Sequence, residues 1–351
     1  MDGGLLSVAG GSDVMIAVGL RRLLSIGYYM RSVAGPPFQS SEISRAAVVG
    51  AGTMGPGIAA TLGAAGIDTT LWARRPRAAA EAAEDALGRI RILRESGLAA
   101  SAPGDVTAVD DLAGAVGGVE IVIEAISEDV AAKRAVLGAV EEVVDADVVL
   151  ASTTSGLDPD EIARDLAHPN RFLVAHFWNP AHLIPLVEVL GCQQTPAELV
   201  DSVCAWLHAI GKHAVRLHKF VPGFLGVRLQ QAVVREAIAL LEAGVASAED
   251  IDAATRLSFG ARFPIIGPLE TSDLGGLDVV ANIHSYLLAD LDASTEPQPA
   301  LVRLVESGRL GVKSGEGFYD WSQRDAAELI RRRDQELLSR LQQLRASRGE
   351  G

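Results

Sequence analysis

Between residues 46 and 175 the chain alternates short apolar runs with longer stretches whose apolar positions recur every three or four residues. The runs at 46–49, 68–72, 119–123, 148–150 and 172–175 have strand length, and the stretches at 58–65, 77–95, 131–144 and 161–166 carry the helical period. Such alternation predicts an α/β fold, a doubly wound and mostly parallel sheet. Past residue 220 only the helical period remains, at 223–243, 251–258 and 279–291, with Ser247 and Asp250 placed as a capping-box start, so a separate all-helical C-terminal domain follows. A last stretch, 324–345, is strongly charged with leucines at helical spacing and reads as a terminal amphipathic helix. The expected organisation is an extension and linker at 1–44 outside the fold, a nucleotide-binding domain at 45–220, a helical domain at 221–323 and a charged helix or tail at 324–351.

The extension contains "VMIAVGLRRLLSIGYYM", which Arg21 and Arg22 interrupt, so it is too broken to span a bilayer. A chain of 351 residues with 48% hydrophobic and 22% charged residues is that of a globular protein with a large core. Its formal net charge of -14 argues against general affinity for nucleic acid, because so acidic a surface releases no counterions from a polyanion. The two cysteines, Cys192 and Cys204, form no CxxC and no metal-like pairing with histidine, which fits a reduced cytoplasmic setting and no metal.

The first candidate chemistry follows the first strand. Gly50, Gly52 and Gly55 form GxGxxG, with Thr53 and Met54 between the second and third glycines, directly before a helix. The first glycine permits the turn, the second lets the backbone approach a pyrophosphate, and the third packs helix on strand. Helix N–H groups then face the phosphates. This points to a dinucleotide site.

Open α/β sheets bind ligands beyond the carboxyl ends of their strands, where "EAISEDVAAK", "STTSGL" and "AHFWNPAHLIPLVEV" fall. The third carries His176 directly after a strand and Glu188 on a further short strand. A histidine beside a carboxylate can exchange a proton with a substrate hydroxyl while the carboxylate fixes its tautomer. The residues alone leave open whether His176 is catalytic or a hydrogen-bonded structural histidine.

From residue 45 to 321 the chain resembles the 3-hydroxyacyl-CoA dehydrogenase family, including its L-gulonate 3-dehydrogenase (lambda-crystallin) and carnitine dehydrogenase relatives. The resemblance rests on "GAGTMGPGIA", "SEDVAAK", "STTSGL", "HFWNP" with "PLVEV", "VPGFLGVRLQ", "GPLETSDLGGLD" and "GVKSGEGFYDW", in that order. It implies a Rossmann-like domain, a helical domain that forms a homodimer, and hydride transfer between a nicotinamide cofactor and a 3-hydroxy or 3-keto acyl substrate. By the same resemblance His176 is the catalytic acid–base, Glu188 its partner, Ser155 the hydrogen bond to the reacting oxygen and Asn179 a support of the cluster. Glu128, Lys133 and Lys313 fall on the cofactor side.

Two positions depart from the family pattern. Where the second strand usually ends on an acid that binds the ribose hydroxyls of NAD, this chain has Ala73 followed by Arg74 and Arg75. Guanidinium groups there suit a 2′-phosphate, so NADP is the expected cofactor, with NAD the alternative. Val227 stands where an asparagine usually contacts the substrate carbonyl, which implies either that the substrate is held differently or that it is a ketone other than the ordinary acetoacetyl thioester. The expected activity is a biosynthetic NADPH-dependent ketoreductase acting on an acyl-CoA, a free acid or a polyketide-type keto acid. A free 3-hydroxy acid dehydrogenase and a non-catalytic, crystallin-like protein are the alternatives.

Overall fold

The computed structural model describes residues 43–347. Eight strands, β1 (Arg45–Val49), β2 (Asp68–Trp72), β3 (Val106–Ala108), β4 (Ile121–Glu124), β5 (Val149–Ser152), β6 (Phe172–Phe177), β7 (Leu186–Gly191) and β8 (His213–Arg216), form one sheet. Their order is β3-β2-β1-β4-β5-β6-β7-β8. β1 to β6 are mutually parallel; β7 pairs antiparallel with β6, and β8 runs with β7. The order reverses between β1 and β4, where doubly wound sheets open a ligand crevice.

Alternate residues of the strands feed two cores. Ala46 and Val48 of β1 join the core under α1 (Gly55–Ala64) and α2 (Pro76–Glu95), while Ala47 and Val49 join the one under α3 (Leu112–Val116), α4 (Val130–Glu141) and α5 (Pro159–Ala163). The first core also takes Val200, Val203 and Leu207 of α6 (Ala197–Ala209). Local chemistry sets the helix starts. The Asp129 carboxylate accepts the Ala132 amide at 2.7 Å before α4, and α2 opens on Pro76, whose missing N–H costs nothing there.

The helices beyond the sheet are α7 (Gly226–Glu242), α8 (Ala248–Leu257), α9 (Pro268–Gly275), α10 (Leu277–Leu287), α11 (Pro299–Glu306) and α12 (Ala326–Ser347). The Ser247 hydroxyl accepts the Asp250 amide at 3.1 Å, as the capping spacing predicts. None of α8 to α12 contains a buried residue, and Leu257, Leu269 and Ile265 are 83%, 81% and 78% exposed. α12 returns to the sheet: Leu337, Leu338 and Leu341 pack on the first core, and Gln342 Nε2 and Arg345 Nη1 donate to the carbonyls of Ser96 and Gly97 after α2.

The fold begins slightly before the expected boundary at residue 45. Ile43 is buried in the first core, and the Ser44 carbonyl accepts the Asp68 amide at 2.9 Å. The rest of the expected extension, 1–42, lies outside the described residues. Among the described residues no helix is long and apolar enough to cross a membrane, and no group of three or more His, Cys, Asp and Glu side chains is placed to hold a metal ion.

Candidate functional site

The glycine turn follows β1 at the switch point. Gly50 takes φ of +132°, and a Cβ there would lie 2.4 Å from the Ala125 carbonyl oxygen beyond β4. At Gly55 a Cβ would lie 1.9 Å from the Gly50 oxygen. Both positions therefore need glycine for the protein's own packing. Gly52 differs: it is exposed, and a Cβ there would meet nothing within 4 Å. Its free space lies beside the start of α1, which has no side-chain cap and no acid in its first turn, so its N–H groups remain available to an anion. Thr53 is exposed and Met54 half-buried on the same turn. This cradle fits the pyrophosphate of a dinucleotide.

The Arg74 and Arg75 side chains at the end of β2 are exposed, with no ion pair or side-chain hydrogen bond among the described residues, and the Arg75 carbonyl accepts the Ala78 and Ala79 amides that open α2. No acid stands between β2 and α2, so that rim is positively charged.

The second cluster lies at the ends of β6 and β7. His176 and Glu188 are directly opposed in the antiparallel ladder, and His176 Nδ1 lies 2.9 Å from Glu188 Oε2. Both are buried, at 5% and 1% exposed. Oε2 also accepts Trp178 Nε1–H at 3.1 Å, while Oε1 accepts the amides of Leu225 and Gly226 at 2.8 and 3.1 Å. Phe224, at φ of +48°, precedes those amides where the chain enters α7, and its ring stands 5.6 Å from the imidazole. Burial pushes the Glu188 carboxyl upward, but the four hydrogen bonds outweigh it and hold the group below its ordinary value. An ionised carboxylate only accepts, so the imidazole carries its proton on Nδ1, leaving Nε2 free to take another.

A third cluster surrounds Glu128, before α4. Its Oε1 accepts the hydroxyls of Thr154 and Ser155 at 2.6 and 3.0 Å and the Ser155 amide at 2.8 Å. Burial raises this carboxyl, and the Thr154 and Ser155 hydrogen bonds and the Lys133 charge bring it below the usual range. Behind it Lys133, 1% exposed, donates to both oxygens of Glu124 at 2.8 and 3.0 Å and stands 3.5 Å from Glu128 Oε2. Ser152 also donates to Glu124 at 2.5 Å. Lys133 thus acts on the surface only through Glu128. Glu124 was missed in the sequence, though an acid closing an apolar strand nine residues before a lysine is a usable signal.

The clusters converge. The Phe177 amide donates to Thr153 Oγ1 at 3.2 Å, joining the ends of β6 and β5, and Gly156 abuts the Gly223 amide before α7. Val227 is half-buried in the first turn of α7, next to Gly226. Asn179 is exposed just past Trp178, joined to Pro180 by a cis peptide, with no side-chain hydrogen bond. Lys313 is exposed in the turn between Gly311 and Glu316, far along the chain from these groups.

Residues 45–220 match the 3-hydroxyacyl-CoA dehydrogenase NAD binding domain, and residues 223–321 match the C-terminal domain of the same family. The chain is 31% identical over 306 residues to a 5-formyl-3-hydroxy-2-methylpyridine 4-carboxylate 5-dehydrogenase of Mesorhizobium japonicum, spanning 85% of this chain and 97% of that one. It is 36% identical to a probable 3-hydroxybutyryl-CoA dehydrogenase of Bacillus subtilis, over 81% of this chain and 99% of the relative, and 35% identical to an L-carnitine dehydrogenase of Streptomyces griseus, over 68% and 72%. Among solved structures, a 5-formyl-3-hydroxy-2-methylpyridine 4-carboxylic acid 5-dehydrogenase described as an NAD+ dependent dismutase superposes with a TM-score of 0.81 at 32% identity, covering 85% of this chain and 97% of that one. The (S)-3-hydroxybutyryl-CoA dehydrogenase of Ralstonia eutropha superposes with a TM-score of 0.64 at 28% identity, covering 80% and 100%.

Proposed function

The chain belongs to the 3-hydroxyacyl-CoA dehydrogenase family, NAD-dependent oxidoreductases acting on a CH–OH group, and on that premise we propose that it reduces a 3-keto acyl compound to the 3-hydroxy compound with NADPH. The observation that carries this reading is the 2.9 Å contact between His176 Nδ1 and Glu188 Oε2. With Nδ1–H fixed on the carboxylate, His176 Nε2 is the atom that delivers a proton to the substrate oxygen in reduction and removes it in oxidation. Glu188 stabilises the imidazolium between these events. A nicotinamide bound in the crevice supplies or accepts the hydride. Ser155, whose hydroxyl donates to Glu128 at 3.0 Å, turns that hydroxyl to hydrogen-bond the reacting oxygen, and Asn179 flanks it from the loop after β6.

On the cofactor side, Gly50, Gly52, Thr53, Met54 and Gly55 take the pyrophosphate, and Arg74 and Arg75 take a 2′-phosphate. Glu128, ordered by Lys133, faces the ribose side, and Lys313 approaches from the segment after α11. The substrate is an acyl-CoA, a free acid or a polyketide-type keto acid. Val227, which offers no hydrogen bond, favours a second reading in which a free hydroxy acid replaces the thioester, in keeping with the pyridine carboxylate and the carnitine in the names of two relatives. The unburied apolar side chains of α8 to α11 support a homodimer formed by residues 221–323, distinct from the cofactor-binding part at 45–220.

The test is cofactor-dependent turnover across acetoacetyl-CoA, 3-keto acids, dehydrocarnitine and a formylpyridine carboxylate, with His176→Gln as control. Turnover of at least one compound is expected, falling about a hundred- to ten-thousandfold in the variant with cofactor binding intact. Near-normal rates in the variant would remove the dyad from the mechanism.

A further inference from the structure

We propose that Trp178 is a positioning residue for the His176–Glu188 pair: from a seat on Gly226, its indole N–H holds the same Glu188 oxygen that faces the imidazole. The inference rests on the reading of that pair as the acid–base centre. Glu188 Oε2 takes two donors, His176 Nδ1 at 2.9 Å and Trp178 Nε1 at 3.1 Å. An oxygen shared between two donors gives each less than it would give one alone, so the indole draws negative charge away from the imidazole.

The seat is specific. A Cβ on Gly226 would fall 2.3 Å from Trp178 Cζ2, so the indole occupies the space that glycine alone leaves open. The amide of Gly226 in turn donates to Glu188 Oε1 at 3.1 Å. One residue therefore receives the indole and holds the opposite oxygen of the same carboxylate. The indole also stands against the imidazole itself, with ring centroids 5.5 Å apart and planes at 49°.

The surroundings leave this donor set in control of the proton. From β6 and its loop, Glu188 meets His176 and Trp178, and from the start of α7 the amides of Leu225 and Gly226. On the β8 side its ladder neighbour is Val215, and Phe224 supplies an apolar wall to the imidazole. Among the described residues no second charged side chain forms a hydrogen bond or ion pair with Glu188. The imidazole thus faces one carboxylate oxygen whose strength as an acceptor the indole reduces.

The His176 titration tests this without any substrate. The full chain is labelled with 13C at histidine Cε1, and the His176 signal is assigned by its loss in His176→Gln. In Trp178→Phe, which keeps most of the packing and lacks the N–H, the midpoint is expected to rise by about half a pH unit or more. Gly226→Ala, which displaces the indole from the other side, is expected to move it in the same direction. A folded Trp178→Phe protein with an unchanged or lower midpoint overturns the proposal, and if that variant does not fold, an unchanged midpoint in Gly226→Ala does so. A role in packing alone lowers the melting temperature and leaves the midpoint in place. An active His176→Gln enzyme would instead refute the acid–base reading while leaving the titration result standing.

Discussion

The backbone amide of Gly50 donates to the carbonyl of Trp72 at 2.8 Å, tying the glycine turn to the end of β2. The bond brings the glycine turn next to the segment that carries Arg74 and Arg75, beyond the carboxyl ends of β1 and β2 where a doubly wound sheet receives a dinucleotide. NADPH is therefore expected to bind more tightly than NADH. A charge-assisted hydrogen bond is worth about 1.5 to 3 kcal/mol, roughly ten- to a hundredfold in affinity. Replacing both arginines with alanine should remove the preference by weakening NADPH alone. Fluorescence titration of both cofactors checks it; equal affinities in the unaltered protein would refute the NADP reading.

The three glycines of the turn should separate by what surrounds them. Gly55→Ala drives a methyl into the Gly50 oxygen, and Gly50→Ala adds a positive φ to a clash with Ala125, so both should lower the melting temperature as well as cofactor affinity. Gly52→Ala meets no protein atom, so it should melt normally and lose affinity. Equal cofactor binding by Gly52→Ala and the unaltered protein would show that the pyrophosphate sits elsewhere.

The sequence made some of this legible and hid the rest for physical reasons. β2 was readable to the residue because a strand-length apolar pattern lies between Gly66 and the arginines that precede Pro76. β3 was missed because it is three residues at a sheet edge with two of them exposed, too short to show a period. α6 and β8 lie between "PLVEV" and the helical region, and β8, four residues with one buried position, shows no strand period. His176 and Glu188 were legible as types at strand ends, yet their contact depends on antiparallel register, which no local pattern reports. The role of Trp178 is illegible for a related reason: its partner Gly226 lies 48 positions away in sequence, and a glycine that makes room for a ring looks like any helix-start glycine.

Stability should rise with pH because of two buried bases, His182 in the loop that joins β6 to β7 and Lys212 against it. Lys212 Nζ donates to the carbonyls of Ala181 and Ile184 at 2.5 and 3.1 Å, and burial pushes its pKa down to about 7 from 10.5. Burial, then the Arg89 and Lys212 charges, push His182 down to about 4 from 6.5. In both cases the unfolded chain binds more protons within the window, so stability is gained as pH rises from about 4 to 6.5 and again from about 7 to 10.5. Each group can contribute a slope of at most about 1.4 kcal/mol per pH unit. Urea unfolding at about pH 7.5 and about pH 8.5 should show this gain in the unaltered protein and its loss in Lys212→Met, whose overall stability falls because the loop loses its tie. An equal slope in both proteins would mean that the lysine stays charged when buried.

Val227 provides the test of substrate class. It is half-buried in the first turn of α7, one residue beyond the amide that holds Glu188, with its side chain against Gly223. Asparagine is close to valine in volume, and the exchange alters polarity far more than packing. If the valine reflects a substrate that presents apolar surface at this point, Val227→Asn strands an amide against it, at a cost of about 1 to 3 kcal/mol, and lowers kcat/KM on the best natural-type substrate about five- to a hundredfold. The same amide gives a thioester substrate a hydrogen-bond donor, so kcat/KM on acetoacetyl-CoA should rise. The two responses must have opposite signs. Parallel changes on both substrates would show that position 227 acts through the α7 turn and Glu188, with no direct contact to substrate, and the free-acid reading would lose the residue that favours it.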